Sequence, residues 1–324
     1  MPVEVVCVAS WNVDLIAHIP QPLERGQTRM ANALARLPGG KGSNAAIAAA
    51  RQGAKVGLIA RIGGDDFGNM GLDLWAREGI DSQHVVRGAG ETNGTALILV
   101  YEDGDNSIAV YPGAGAGLNA AHVQAALGML AHARVVMASC EVPLAATQTA
   151  FETARAHGVL TLLNPAPAMP IPDALWPLID VLTPNEGELL MLAGAADIDT
   201  ASHQLLQRGV GAVVVTLGER GCTLYRPKAA PLRVPGHTLD VLDTIGAGDT
   251  FTGTLAAALA RKAPWPEALH WANAAAALST QAHGAVSAMP TAEQVRTFLS
   301  STGDTQAGSF SPDVPPAPTR APES

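Results

Sequence analysis

Aromatic residues are scarce: Phe, Trp and Tyr make up 4% of the 324 residues, against 48% for hydrophobic residues as a whole. A chain of this length buries a sizeable core, which must be built from Ala, Val, Leu and Ile. Cysteine is nearly missing. Cys7, Cys140 and Cys222 are scattered and odd in number, which excludes a disulfide framework and paired metal spacing. Cys7 and Cys140 lie in apolar, strand-like runs, so buried thiols in a reducing cytoplasm are expected. Basic charge is in deficit, with 20 Lys and Arg against 29 Asp and Glu and a net charge of −9. No basic field is available for a phosphate backbone, which argues against nucleic acid as a partner. A small anion held by local amides and one Lys stays compatible with that balance. Long apolar runs are also lacking. The Ala-rich stretch 253–260 ends at Arg261 and Lys262, short of a membrane span, and the N-terminus carries no signal-peptide pattern. A soluble protein without a membrane partner is expected. The nine His show no paired metal spacing, and His18, His84 and His122 are expected at the surface. No internal repeat is present.

Glycine and proline are abundant, at 33 and 23 residues, which favours turns and close backbone approaches. Apolar runs at 3–9, 55–61, 134–139, 159–163, 179–182 and 212–216 read as strands. Helical stretches alternate with them at 43–53, 65–78, 119–131, 143–157, 185–193 and 200–209. Such alternation predicts βαβ units and a mostly parallel sheet covered on both faces. Two segments, about 12–38 and 91–112, break the pattern with strand-type stretches and an EDGDN turn at 102–106. They are expected to form a small inserted sheet, a candidate lid. After about residue 302 the chain turns Ser-, Pro- and Ala-rich, and 303–324 is expected to be a disordered tail on a domain spanning 1–302.

The strongest motif is VLDTIGAGDTFTGTLAAAL at 241–259. Gly246, Ala247 and Gly248 before an Ala-rich helix place backbone N–H groups at a helix N-terminus, an anion site. Asp249 falls in the first turn beside it. A carboxylate next to bound phosphate is repelled, so its place asks for a reason. Helix capping is one; preparing a hydroxyl for attack is another. LPGGKGSNAAIAAARQGA at 37–54 sets Gly40, Lys41 and Asn44 at a glycine turn into a helix, without the spacing of a P-loop. SWNVD puts Asn12 and Asp14 on one side of an extended segment, where an amide and a carboxylate suit a vicinal diol. Asn185 and Glu188 in LTPNEGE stand three apart, which helix capping alone explains. VVVTLGERGC places Thr216, Gly218 and Gly221 at a turn after a buried strand, a setting that suits a nucleotide.

DTIGAGDTF and GGKGSN together resemble the two signatures of the ribokinase-like sugar kinases, the phosphofructokinase B family, and the likeness runs from about residue 5 to about residue 300. The resemblance implies a three-layer α/β/α fold with a small β-sheet lid, and phosphoryl transfer from Mg·ATP to a sugar hydroxyl. By it, Asp249 is the base and Gly246, Ala247 and Gly248 hold the migrating phosphoryl group. Asn12, Asp14, Gly40, Lys41, Asn44 and Glu141 grip the sugar. Asn185 and Glu188 order Mg²⁺ and phosphates, while Thr216, Gly218, Gly221, Gly248 and Asn273 serve the nucleotide. A K⁺ site is implied at Asp243, Ile245, Ser279, Ala282 and Gly284, with Ala288 standing where the family usually has Ser. The resemblance also implies a homodimer clasped through the lid. A helix N-terminus should keep Asp249 ionised and weakly basic, which a loose phosphoryl-transfer transition state tolerates. D-ribose is the expected acceptor, with another sugar, a sugar acid or a nucleoside as alternatives. A sugar or nucleotide sensor without catalysis is the non-enzyme alternative. A Rossmann dehydrogenase is set aside, because no G-x-G-x-x-G follows the first strand.

Overall fold

The computed structural model describes residues 2–301; the 303–324 tail and the domain limit at 302 lie outside the described residues. The first apolar run forms β1 (Val5–Ala9), buried throughout. The chain then leaves for a small outlying sheet in β2 (Asn12–His18) and β3 (Ala33–Gly39) before α1 (Lys41–Arg51). β4 (Val56–Gly63), α2 (Asp66–Arg77) and β5 (Asp81–Gly88) follow, and β6 (Gly94–Val100) and β7 (Asn106–Tyr111) complete the small sheet. Two short helices, α3 (Ala120–Gln124) and α4 (Leu127–His132), lead to β8 (Val135–Ser139), α5 (Leu144–Ala156), β9 (Leu160–Asn164) and β10 (Val181–Leu182). α6 (Glu186–Ala193) and α7 (Ile198–Gln207) precede β11 (Ala212–Thr216), β12 (Cys222–Tyr225) and β13 (Leu232–Val234). α8 (Ala247–Ala260), α9 (Trp265–Leu278), α10 (Ala285–Ala288) and α11 (Ala292–Ser301) close the described chain.

The large sheet runs β13-β12-β11-β10-β9-β8-β1-β4-β5. It is parallel from β11 to β5, and β12 and β13 are added antiparallel at one edge. Because side chains alternate along a strand, β1 serves two cores. Val5, Cys7 and Ala9 pack with α1, α2, α8 and α9, while Val6 and Val8 pack with α5 and α7 on the other face. This is the three-layer α/β/α arrangement, and its helices meet through small residues. At the α1–α8 contact a β-carbon on Gly253 would collide with the Ala45 carbonyl oxygen. All three cysteines are buried and unpaired, and Trp271 is buried against α11. No helix among the described residues is long and apolar enough to cross a membrane.

The small sheet has the order β3-β2-β6-β7. β6 and β7 form the hairpin expected at 102–106, with Tyr101 N donating to Asp105 O at 2.9 Å and Gly104 at φ +87°.

The structure differs from the sequence pattern in three places. The single helix over 119–131 is two, because Ala126 leaves helical backbone at φ −100°, ψ 13°. β5 carries no apolar run, since it is an edge strand with mostly half-exposed side chains; His84 within it is half-buried, not exposed. β12 and β13 escape a reading by pattern because they are only 4 and 3 residues long.

Candidate active site

The site begins where β1 hands over to β2 and where α1 starts. Gly40 precedes α1 at φ +93°, and a β-carbon there would lie 2.8 Å from Ser10 O. Only glycine lets the chain enter the helix so close to β1. The first amides of α1 are held by the protein itself: Lys41 N donates to Glu141 Oε2 at 2.8 Å, and Gly42 N to Ser10 Oγ at 3.1 Å. Ser10 Oγ donates in turn to Glu141 Oε2 at 2.7 Å. Glu141 thus supplies the negative charge a helix N-terminus favours and fixes where Lys41 stands.

At α8 the arrangement differs. Gly246 at φ +79° is the residue before the helix, and it has no side-chain cap. Asp249 is therefore not the N-cap; it lies in the first turn, buried to 5% exposure, and Asn44 Nδ2 donates to its Oδ2 at 2.9 Å. Capping does not account for Asp249. Asn44 lies in the second turn of α1, and its Oδ1 is buried without a hydrogen-bond partner, an open acceptor beside the carboxylate. A β-carbon on Gly248 would meet nothing within 4 Å, so space lies directly before this turn. The three residues Gly246, Ala247 and Gly248 do not act alike, however. Ala247 N donates to Thr244 O at 3.2 Å, and Ala247 faces a different cavity from Gly246.

Burial lifts the Asp249 carboxyl to about 6, against the pull of Lys41 and of the Asn44 hydrogen bond. Desolvation thus outweighs Lys41 and Asn44 together, and the carboxyl is more basic than the ordinary, weakly basic carboxylate expected. Asp14 also rises to about 6, through burial first and the Glu141 charge second, with Lys41 opposing. Burial alone would lower Lys41, yet Asp249, Glu141, Glu188 and Asp14 together raise it. One ammonium thus stands among four carboxyl groups.

Two cavities meet at α8. One, of about 300 Å³, is polar and lined by Lys41, Asn185, Glu188, Thr216, Gly246 and Asp249. The other, of about 250 Å³, is mainly apolar, with Phe251, Ala276 and Ala277 beside Gly218, Gly221 and Asn273. Thr216, Thr244 and Gly248 line both. Asn273 Nδ2 donates to Pro235 O at 2.7 Å, which ties the loop after β13 to α9. Asn12 and Asp14 stand outside both cavities, on the small sheet, over Gly94 and Gly39, where any β-carbon would collide with their side chains. The polar cleft also uses Asn164, Ala166, Thr183 and Thr244, which sequence reasoning missed. The position of Asn164 at the C-terminal end of β9 was the available signal.

Asn185 and Glu188 do form a capping box: Asn185 N donates to Glu188 Oε2 at 2.9 Å and Glu188 N to Asn185 Oδ1 at 2.8 Å. The box uses Glu188 Oε2 alone, and Glu188 also lines the polar cleft. Among the described residues no three His, Cys, Asp or Glu side chains gather as a metal cage. Mg²⁺ needs none, since it keeps waters and binds through one or two carboxylates plus phosphate; Glu188 fits that donor set. The loops implied for K⁺ are adjacent. Asp243 Oδ1 accepts from Ile245 N at 2.9 Å and Oδ2 from Gly284 N at 2.8 Å, while Thr280 O accepts from Asp243 N at 3.1 Å. Ser279 follows α9 and turns its hydroxyl back to Ala276 O at 2.8 Å. Ala282 extends between the two loops, and Ala288 ends α10 without a hydroxyl.

The family model for pfkB family carbohydrate kinases matches residues 3–292. A ribokinase of Haemophilus influenzae is 35% identical over 297 residues, 90% of this chain and 97% of that protein. A deoxyribokinase of Salmonella typhimurium is 32% identical over 307 residues, 92% of this chain and 99% of that protein. Among solved structures, Arabidopsis thaliana ribokinase complexed with ribose and ATP superposes with a TM-score of 0.87 at 29% identity, covering 92% of this chain and 99% of that one.

Proposed function

The chain belongs to the pfkB family of carbohydrate kinases and is a phosphotransferase with an alcohol acceptor; from that premise we propose that it transfers the γ-phosphate of ATP to D-ribose, giving D-ribose 5-phosphate. One observation carries the site assignment: a buried carboxylate, Asp249, stands at the N-terminus of α8 where a polar and an apolar cavity join. The apolar cavity suits a nucleobase, the polar cleft suits phosphates, and the junction is where the γ-phosphate meets the acceptor.

In this mechanism Asn12 and Asp14 hold sugar hydroxyls from the small sheet, with Lys41, Asn44, Glu141 and the Gly40 turn completing the grip. Asp249 takes the proton of the attacking hydroxyl, and with an affinity near 6 it is both charged at neutral pH and competent to accept. The Gly246 and Gly248 amides and the α8 dipole balance charge on the phosphoryl oxygens. Glu188 and Asn185, which line the polar cleft, would hold Mg²⁺, and the ion would supply positive charge against the phosphates. Thr216, Gly218, Gly221 and Asn273 receive the nucleotide. The loops carrying Asp243 and Gly284 would hold K⁺, whose charge would stiffen the turn before α8. The small sheet, as a lid, keeps water from the phosphoryl group.

The homodimer is part of the same proposal. Ile108 and Val110 are 56% and 62% exposed, and cross-strand register places Val110 beside Ala96 and Ala96 beside Asp14. An apolar row reaching a sugar-binding Asp suits cover by a partner's sheet. A fall to monomer mass on Ile108→Lys is the supporting result, and an unchanged mass rejects it. The buried, unpaired cysteines are consistent with a reducing cytoplasm, which cell fractionation tests.

The kinase proposal is tested by coupled ADP release across ribose, 2-deoxyribose, hexoses, sugar acids and nucleosides, with and without K⁺. Ribose should give the highest kcat/KM. 2-Deoxyribose is the second reading, favoured by the deoxyribokinase relative; its turnover above that of ribose would replace the first.

A further inference from the structure

We infer that Arg51 is a positioning residue for phosphoryl transfer, holding from behind the turn that opens α8; this rests on the assignment of that turn as the phosphoryl site. Arg51 is the last residue of α1. Its Nη1 donates to Val286 O at 2.7 Å and to Met289 O at 2.8 Å. Its Nε and Nη2 donate to Glu78 Oε2 at 3.1 Å and Oε1 at 2.6 Å. The next residue adds a third grip: Gln52 Nε2 donates to Pro290 O at 2.9 Å, and Gln52 Oε1 accepts from Trp271 Nε1 at 2.9 Å. The end of α1 thus fastens the strap 286–290 at three carbonyls.

That strap backs the site. A β-carbon on Gly246 would lie 2.7 Å from Ala285 Cβ and 3.0 Å from Ala285 Cα, so Gly246 rests directly on the residue before Val286. Gly284 N, one step earlier, is bound to the Asp243 carboxylate. The same helix reaches the site from its other end, where Asn44 holds Asp249. α1 therefore sets the carboxylate through its first half and the glycine turn through its last residue. An Arg fork is required, because one planar guanidinium pairs with Glu78 and spans two carbonyls at once. A Lys ammonium cannot match that geometry.

The test uses the full-length protein and compares Arg51→Met, Arg51→Lys, Asp249→Asn and a control, Phe151→Leu, whose buried ring lies in the opposite core. Displacing a reacting group by about 1 Å costs on the order of 10²-fold in rate. Both Arg51 variants should therefore lose roughly 10- to 100-fold in kcat, with the sugar KM within about twofold of wild type. Assayed at a temperature where all are folded, Phe151→Leu should keep its kcat even when its melting temperature falls as far. Equal kcat losses in Arg51→Met and Phe151→Leu at matched melting temperature, full activity in Arg51→Lys, or a change in sugar KM alone would each overturn the inference. Wild-type turnover in Asp249→Asn would instead reject the site assignment beneath it, whatever the Arg51 variants do.

Discussion

Asn44 on α1 donates its amide to Asp249 on α8 at 2.9 Å, two residues 205 positions apart in the chain. The bond exists because the two helices cross on Ala and Gly, with no β-carbon at Gly253 to hold them apart. It holds the carboxylate at the wall of the polar cavity, next to Gly248, which lines both cavities, while Asp249 itself stays buried.

Asp249→Asn should reduce kcat by about 10²–10⁴-fold with ATP and sugar still bound, measured by ADP release and calorimetry. The same variant should be more stable at neutral pH. The folded-state affinity is raised from 3.8 to about 6, so protonated Asp249 favours the fold below about 4, and that contribution is lost as pH rises through 6. Removing the buried charge should gain on the order of 2–3 kcal/mol at pH 7, read as a higher melting temperature.

Activity should have an acid limb near pH 6. Asp249 and Asp14 both rise to about 6, so as pH falls through 6 the base is lost and sugar binding weakens together. A plot of log kcat/KM for sugar against pH should bend there, with a slope approaching 2 if both groups must ionise. A flat profile down to pH 5 counts against both assignments.

Asn44→Leu removes a hydrogen bond that lowers the Asp249 affinity. Its acid limb should move to higher pH, and kcat should drop by roughly 10-fold or more, since a hydrogen bond to a charged group contributes about 1.5–3 kcal/mol. A reduced kcat with an unmoved limb would mean that Asn44 serves the sugar alone.

Glu188→Gln separates two roles. Glutamine can keep the capping box with Asn185, so the melting temperature should hold. The Mg²⁺ concentration for half-maximal activity should rise several-fold, because one cleft charge is gone. A fall in stability with unchanged Mg²⁺ dependence would leave Glu188 only its place at the start of α6.

Much of this was legible in the order of residues alone. The period of apolar runs marks β1, β4, β8, β9 and β11, because strands buried on both faces need continuous apolar sequence. The same logic misses β5, β12 and β13, where strand is imposed by a neighbour's hydrogen bonds. Asp249, Lys41 and the glycine turns were visible because close backbone approach leaves glycine at fixed spacing. The capping box was visible too, since Asn185 and Glu188 touch across one helical turn.

Sequence by itself determined which chemistry could be present: carboxylates, one Lys and glycine turns at the ends of apolar runs. Tertiary structure decided how those groups behave. Four carboxyl groups, from a strand, a turn and two helices, converge on Lys41, and burial moves two of them to about 6. Arg51, unremarkable as the last charged residue of an Ala-rich helix, becomes the clamp on a strap 235 residues away. Such effects depend on distance and dielectric between parts far apart in the chain, and neither quantity is written in any local pattern.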